Sequence, residues 1–248
     1  MRRVVLGWQR PFSPYKHINQ VPITEIRTQF LAIFQEWGKP GSMRVDNGEP
    51  LGSPNTDTTP DLALWCILHD IDMIWNKPHC PQMNGVVEKM QDTSQRWAEI
   101  DKALNIEDLQ QRLDHEAHIQ RAQFKVTRLG NKTRLIAYPE LISAQRTWQT
   151  EAENKADIKR VYQFLAKKTY ARKVSSAGQI NIFAQKLSAA KAFKDLKGLY
   201  VQVKLNPETS AWDIYYAYKL IKSFPDKEIN RQNVENLSVM SNNKNSIT

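Results

Sequence analysis

The sequence predicts an α/β core, then a basic helical linker, then a small all-β barrel. Three observations carry this. Through residue 121, short β-branched runs alternate with stretches whose apolar residues recur at helical spacing. Beyond residue 174 the period changes to alternation in runs of a few residues. Between the two lies a segment dense in Lys and Arg. The expected organisation is a core over residues 1–145, a linker over 146–173, a barrel over 174–222 and a disordered, Asn- and Ser-rich tail over 223–248.

Each element has a local signal. Arg2–Trp8 (RRVVLGW) reads as a short strand, because β-branched residues cluster there. Pro11, Pro14 and Pro22 then punctuate a loop. Ile26, Phe30, Ile33, Phe34 and Trp37 fall on one helical face, and Gly38-Lys39-Pro40 stops that helix. Ser42–Val45 is a short strand delivering Asp46, with Asn47-Gly48 turning the chain. A helix over 61–69 and a strand over Ile71–Trp75 follow. After the loop His79–Gly85 a helix begins near Asn84, with Val86, Met90, Trp97 and Ile100 at helical spacing. Glu88 lies about 200° from Val86 around that helix, away from the apolar stripe. Residues 106–121 are a further helix. The linker is expected to be helical to Lys173. In the barrel, Ile180 and Ile182, then Val201, Val203 and Leu205, then Trp212, Ile214 and Tyr216 each alternate with their neighbours.

Composition bounds the function classes. The longest apolar run, Leu62–Leu68, has seven residues, whereas a membrane span needs about 20. No N-terminal secretion signal is legible, because prolines follow the brief apolar run Val4–Trp8. Two cysteines, Cys66 and Cys80, build neither a disulfide framework nor a CxxC zinc site. A cytoplasmic, nucleoid-associated protein is expected. The net charge of +9 is localised. Lys155–Lys204 holds ten Lys and two Arg against two Asp, a net +10, so the remainder is close to neutral. Such a block reads as a polyanion-binding surface.

Two passages carry chemistry: EWGKPGSMRVDNGEP at 36–50 and WNKPHCPQMNGVVEK at 75–89. Together they resemble the retroviral-type integrase core shared by many bacterial insertion-sequence transposases. That family carries a G-x-P…D-N-G motif followed by P…P-Q-x-N-G-x-x-E-[RK]. Here 41 residues separate Asp46 from Glu88, a little more than the resemblance implies, and the surplus is placed in the loop Gly52–Pro60. The resemblance covers residues 1–145. It extends to 174–222, which looks like the C-terminal barrel of phage Mu-type transposases. It implies an RNase H-like (DDE) fold, DNA cleavage and strand transfer, Mg²⁺ or Mn²⁺ as cofactor, transposon ends and target DNA as partners, and a homo-oligomer. Asp46 and Glu88 would be the second and third catalytic, metal-binding carboxylates. Two hard cations held by oxygen ligands suit phosphodiester chemistry, since they serve both the attacking and the leaving oxygen. Taken singly, either residue could be ordinary: an Asp in an Asn-Gly turn, or a first-turn Glu favoured by the helix dipole.

The family's first carboxylate has no counterpart before Asp46. Residues 1–45 contain no Asp, and their only acidic residues are Glu25 and Glu36, both in the amphipathic helix. The resemblance implies a core lacking its first strands, N-terminally truncated, and inactive alone. One alternative is an upstream reading frame that supplies the missing Asp. Another is a non-catalytic DNA-binding regulator of an intact transposase. Expected DNA contacts are Lys89, Gln82 and Asn84 around the second motif, and the cluster Lys167, Lys168, Arg172 and Lys173 with Tyr170 among them. Phosphate neutralisation by such lysines gives salt-sensitive affinity with little sequence information. His115-Glu116-Ala117-His118 departs from HExxH and lacks a third ligand. Trp8, Trp37, Trp65 and Trp97 are expected in the core.

Overall fold

The computed structural model describes residues 22–52, 58–83, 85–139, 146–148 and 156–240. The strand expected over Arg2–Trp8 lies outside them. The described chain mixes helix and sheet, as expected, and divides into two compact units. One takes residues 1–40 and 76–149, the other residues 41–75 and 150–248. Contacts therefore group residues 41–75 with the C-terminal half rather than with the preceding helix.

The described part of the first unit is helical. α1 (Ile23–Trp37) buries Ile26, Phe30 and Phe34, the face that the helical spacing marks. Gly38, at φ 81°, ends it in a conformation that suits glycine. Phe34 packs on Trp148 at 5.4 Å, and the Arg146 Nη1 donates to Pro40 O at 3.0 Å. Trp37 is half-buried under the Arg121 guanidinium, 4.2 Å from the ring centre.

α3 (Gly85–Trp97) and α4 (Ile106–His118) follow. Asn105 caps α4 by accepting the Asp108 N–H, and Asp108 returns a bond from the Leu104 N–H. That bond, with the Arg112 pairing, holds the Asp108 carboxyl below its ordinary pKa. Buried Gln120, just past α4, donates to Ser94 of α3 and to buried Glu116 of α4. Arg134, from α5 (Arg134–Ala137), donates to Gln120 O. Trp97, expected in the core, is 41% exposed and meets Phe124 edge-on at 5.2 Å. Among the members of that helical phase whose side chains are described, the buried one is Ser94.

In the second unit, β1 (Ser42–Val45) pairs with β2 (Asp72–Trp75) in parallel, Ser42 beside Asp72 and Val45 beside Trp75. A parallel pair needs a crossover, and α2 (Asp61–Leu68) lies in it. After Asp61, α2 is apolar all round, and the whole helix is buried. α6 (Ile158–Ala166) and α7 (Arg231–Glu235) pack against it. The Asp157 side chain caps α6, and its N–H donates to Leu68 O at 3.1 Å. Arg160 pairs with Asp70 at 2.8 Å and Asp72 at 3.0 Å.

Among the described residues, six further strands belong to this unit. β3 (Tyr170–Lys173), β6 (Tyr200–Asn206), β7 (Ala211–Tyr216) and β8 (Lys219–Pro225) form an antiparallel sheet in the order β3–β6–β7–β8. β4 (Gln179–Ile182) and β5 (Gln185–Ser188) form a hairpin. Phe183, at the hairpin turn, stacks on Trp212 of β7 at 5.6 Å, and Tyr170 of β3 meets both rings edge-on. The hairpin thus packs on the inner face of the sheet.

Two expected boundaries are corrected. The helical linker does not reach Lys173: the helix ends at Ala166, and Tyr170–Lys173 is a strand paired with Tyr200–Val203. Tyr170, 2% exposed, draws the segment into the sheet. The tail is not disordered from 223. β8 runs to Pro225, α7 follows, and Ile229, Val234, Leu237 and Val239 are buried. Residues 241–248 lie outside the described residues.

Candidate functional site

Asp46 belongs to the second unit and Glu88 to the first. Asp46 stands just past the carboxyl end of β1 and is exposed. Ligands of parallel sheets gather at that end of the strands. Its Oδ1 accepts the Asn47 N–H at 2.8 Å, which fixes the carboxylate over the turn. The turn is itself tied down: Gly48 and Gly52 exchange backbone bonds at 2.9 and 2.7 Å, and the Trp75 indole N–H donates to Leu51 O at 3.0 Å. A short strand end and a pinned loop therefore present Asp46 to solvent.

Glu88 lies in the first turn of α3 and is exposed. A single 3-10 turn over Pro81–Met83 delivers the chain to that helix, with the Met83 N–H bonded to Cys80 O at 3.0 Å. Gln82 is exposed beside it, while Asn84 lies outside the described residues. Lys89 is exposed too, with Nζ 3.2 Å from Asp92, a carboxylate it shares with Arg96 at 3.0 Å. Exposed pairs of this spacing contribute only about 0.3–0.5 kcal/mol, so a phosphate can take Lys89 from Asp92 at little cost.

The donor chemistry of both carboxylates fits a hard divalent cation. Among the described residues, no three His, Cys, Asp or Glu side chains gather as a metal site.

The expected basic cluster is partly committed to structure. Lys167 at the end of α6 and Lys173 at the end of β3 are exposed. Lys168 sits 6.0 Å over the Phe164 ring. Arg172 lies 5.6 Å over Tyr170, and its Nε donates to Asn181 O at 3.0 Å, tying β3 to β4. Tyr170, expected among the DNA-facing residues, is buried in the core.

Three tyrosines outside the expected site residues are exposed: Tyr200 at 67%, Tyr218 at 96% and, at 38%, Tyr216, which the alternation of its strand places in phase with buried Trp212 and Ile214. A signal existed. In YVQVKLN (200–206) the buried residues are Val201, Val203 and Leu205, so Tyr200 is an aromatic in the polar phase. No protein-family model matches the chain. No helix among the described residues is long and apolar enough to cross a membrane.

Proposed function

We propose that this chain is a DNA-handling protein of the insertion-sequence transposase type. Asp46 and Glu88 each offer a carboxylate ligand to a divalent cation, and the basic second unit holds DNA. The observation that carries the reading is that both motif carboxylates are exposed at rigid positions, Asp46 on a pinned strand end and Glu88 in the first turn of a helix. The sheet-plus-hairpin of β3–β8 is read as the small barrel-type DNA-binding domain that the resemblance implies. Lys89, Lys167, Lys168 and Lys173 supply phosphate contacts, Gln82 is a further DNA contact near Glu88, and Asn84 is proposed as another from its place in the motif alone. A bound Mg²⁺ or Mn²⁺ would neutralise charge at a phosphodiester. The chain's own part is to hold oxygen ligands on fixed backbone and to anchor the strand.

The test is duplex-DNA binding by the full chain with and without Ca²⁺, a cation that supports coordination without turnover. The wild-type chain should bind a labelled duplex at about 50 mM salt and gain affinity when the cation is added. Asp46→Asn and Glu88→Gln should each remove that gain and leave cation-free binding intact. A gain that persists in the double variant overturns the carboxylate role. No duplex binding at low salt overturns the DNA reading itself.

A further inference from the structure

We propose that the β4–β5 hairpin is a two-stranded ribbon that reads base edges in the major groove of duplex DNA, through Gln179, Asn181, Lys186 and Ser188. The inference deepens the DNA-handling reading and rests on it. The register puts these four side chains on one face, since Gln179 pairs with Ser188 and Asn181 with Lys186. Asn181, Lys186 and Ser188 are exposed and Gln179 is half-buried. The alternate residues, Ile180, Ile182, Gln185 and Leu187, are buried on the other face.

That inner face fixes the ribbon. Phe183, at its turn, stacks on Trp212, and the Gln185 side chain donates to Pro225 O at 2.9 Å. At the open end the Ser175 hydroxyl accepts the Gln179 N–H at 3.1 Å, and the Ser175 N–H donates to Gln179 O at 2.9 Å. Gly178, at φ 68°, turns the chain into β4, and a Cβ there would meet Ala190 Cα at 3.4 Å. Side chains carried on such strands are held more precisely than side chains on loops.

Residue type selects the occupant. Asn and Gln each make two hydrogen bonds to adenine in the major groove, Lys bonds guanine, and Ser bonds either. Among the described residues none of the four side chains has a hydrogen bond or an ion pair. The face carries no large apolar side chain to anchor a protein and no ring on which an unpaired base could stack. The hairpin is a sheet of two strands, a width that the major groove, about 12 Å across, admits. Its two polar rows lie two residues apart, about 6.8 Å, which matches two base-pair steps.

Charge points the same way. The sequence has no Asp or Glu between Asp157 and Asp195. The Ala189 N–H donates to Gly178 O and the Phe193 N–H to Ala189 O, so the loop carrying Lys191 and Lys194 leaves from the ribbon's open end. Both lysines are exposed and, among the described residues, make no ion pair. They supply phosphate contacts beside the ribbon's base contacts.

The experiment uses the full chain and a labelled duplex library about two helical turns long with a randomised centre. Selection at about 150 mM salt should enrich a short motif containing adenine and guanine. The chain should bind it at least about tenfold more tightly than a scrambled duplex of equal composition. The double variant Gln179→Ala, Asn181→Ala should bring those two affinities within about twofold of each other. Its affinity for the scrambled duplex and its thermal midpoint should stay close to wild type, because neither side chain is bonded in the fold. Lys186→Ala should lose the guanine from the selected motif and keep the adenines. No enriched motif, or a preference that survives in the double variant, overturns the ribbon as reader. So does a fall in midpoint that accompanies equal weakening on both duplexes, the mark of a structural role. Failure of the wild-type chain to bind any duplex indicts the broader DNA reading instead.

Discussion

Cys66 and Cys80 show how placement alone decides the chemistry of a side chain. Cys66 lies in α2 with no exposed surface, and burial pushes its thiol up to about 12 from 9.0. Cys80 lies in the loop before α3 and is half-buried. In the native chain a thiol reagent should therefore modify Cys80 quickly and Cys66 only after unfolding. The same burial sets a pH dependence. The folded chain keeps the Cys66 proton where the unfolded chain releases it. Stability from this group is complete below pH 9 and is lost as pH rises towards 12, at about 1.4 kcal/mol per pH unit. Urea midpoints should fall across that window, and less steeply in Cys66→Ala. Burial also raises the Tyr162 phenol, beside Asp226, and adds a second alkaline contribution in the same direction. Equal labelling of both thiols in the folded chain, or an unchanged slope in the variant, contradicts the burial of α2.

At the scale of elements, the C-terminal segment is structural. Asp226 accepts from the Tyr162 hydroxyl at 2.9 Å, the Trp212 indole at 3.0 Å and the Ile229 N–H at 3.0 Å, so it joins α6, β7 and the chain entering α7. Beyond it, Glu235 faces His69 at 3.5 Å and the Met240 N–H bonds to Asp61, both at the ends of α2. A chain stopped after Pro225 would uncover α2 and leave Trp212 and Asp61 without these partners. It should lose cooperative unfolding of the second unit or aggregate, whereas a chain stopped after Met240 should keep the full-length urea midpoint. Matching midpoints for the two shortened chains would return the tail to disorder.

The legibility of the fold follows the same lines. α1, β1, α2 and β2 could be read because period and stop signals agreed, as with Phe30, Phe34 and Gly38. The tail could not, because its asparagines act locally rather than as solvated filler. Asn230 caps α7 by accepting the Asn233 N–H, and the Asn233 side chain donates to Glu228 O. Only spacing separates such caps from a polar tail, and Ile229, Val234, Leu237 and Val239 follow no single period. β3 was hidden for another reason. Its four residues YARK suit a helix as well as a strand, and long-range pairing with β6 decides between them. At the candidate site, the motifs point to Asp46 and Glu88 directly.

Across the whole molecule the charge is unevenly spread, with residues 155–204 holding a net +10 of the total +9. If this block meets duplex DNA, the logarithm of affinity falls linearly with the logarithm of salt, with a slope near −0.9 for each phosphate neutralised. Lys167, Lys168 and Lys173 are the members of the expected cluster whose removal should spare the fold, since Arg172 ties β3 to β4. Replacing the three lysines with Ala should lower the slope by about 2–3 and weaken binding alike for every duplex sequence, because phosphate contacts carry no base information. Exposed lysines of the first unit provide the control. Lys102, engaged with Glu99 at 2.8 Å, and Lys125 and Lys132 lie outside the basic block. The corresponding triple variant removes the same three charges, so long-range attraction falls equally in both proteins. Only contact with phosphate releases counterions, so only the first variant should change the slope. Equal slopes for the two would move the DNA surface away from the end of α6 and β3, whatever their effect on affinity at a single salt concentration.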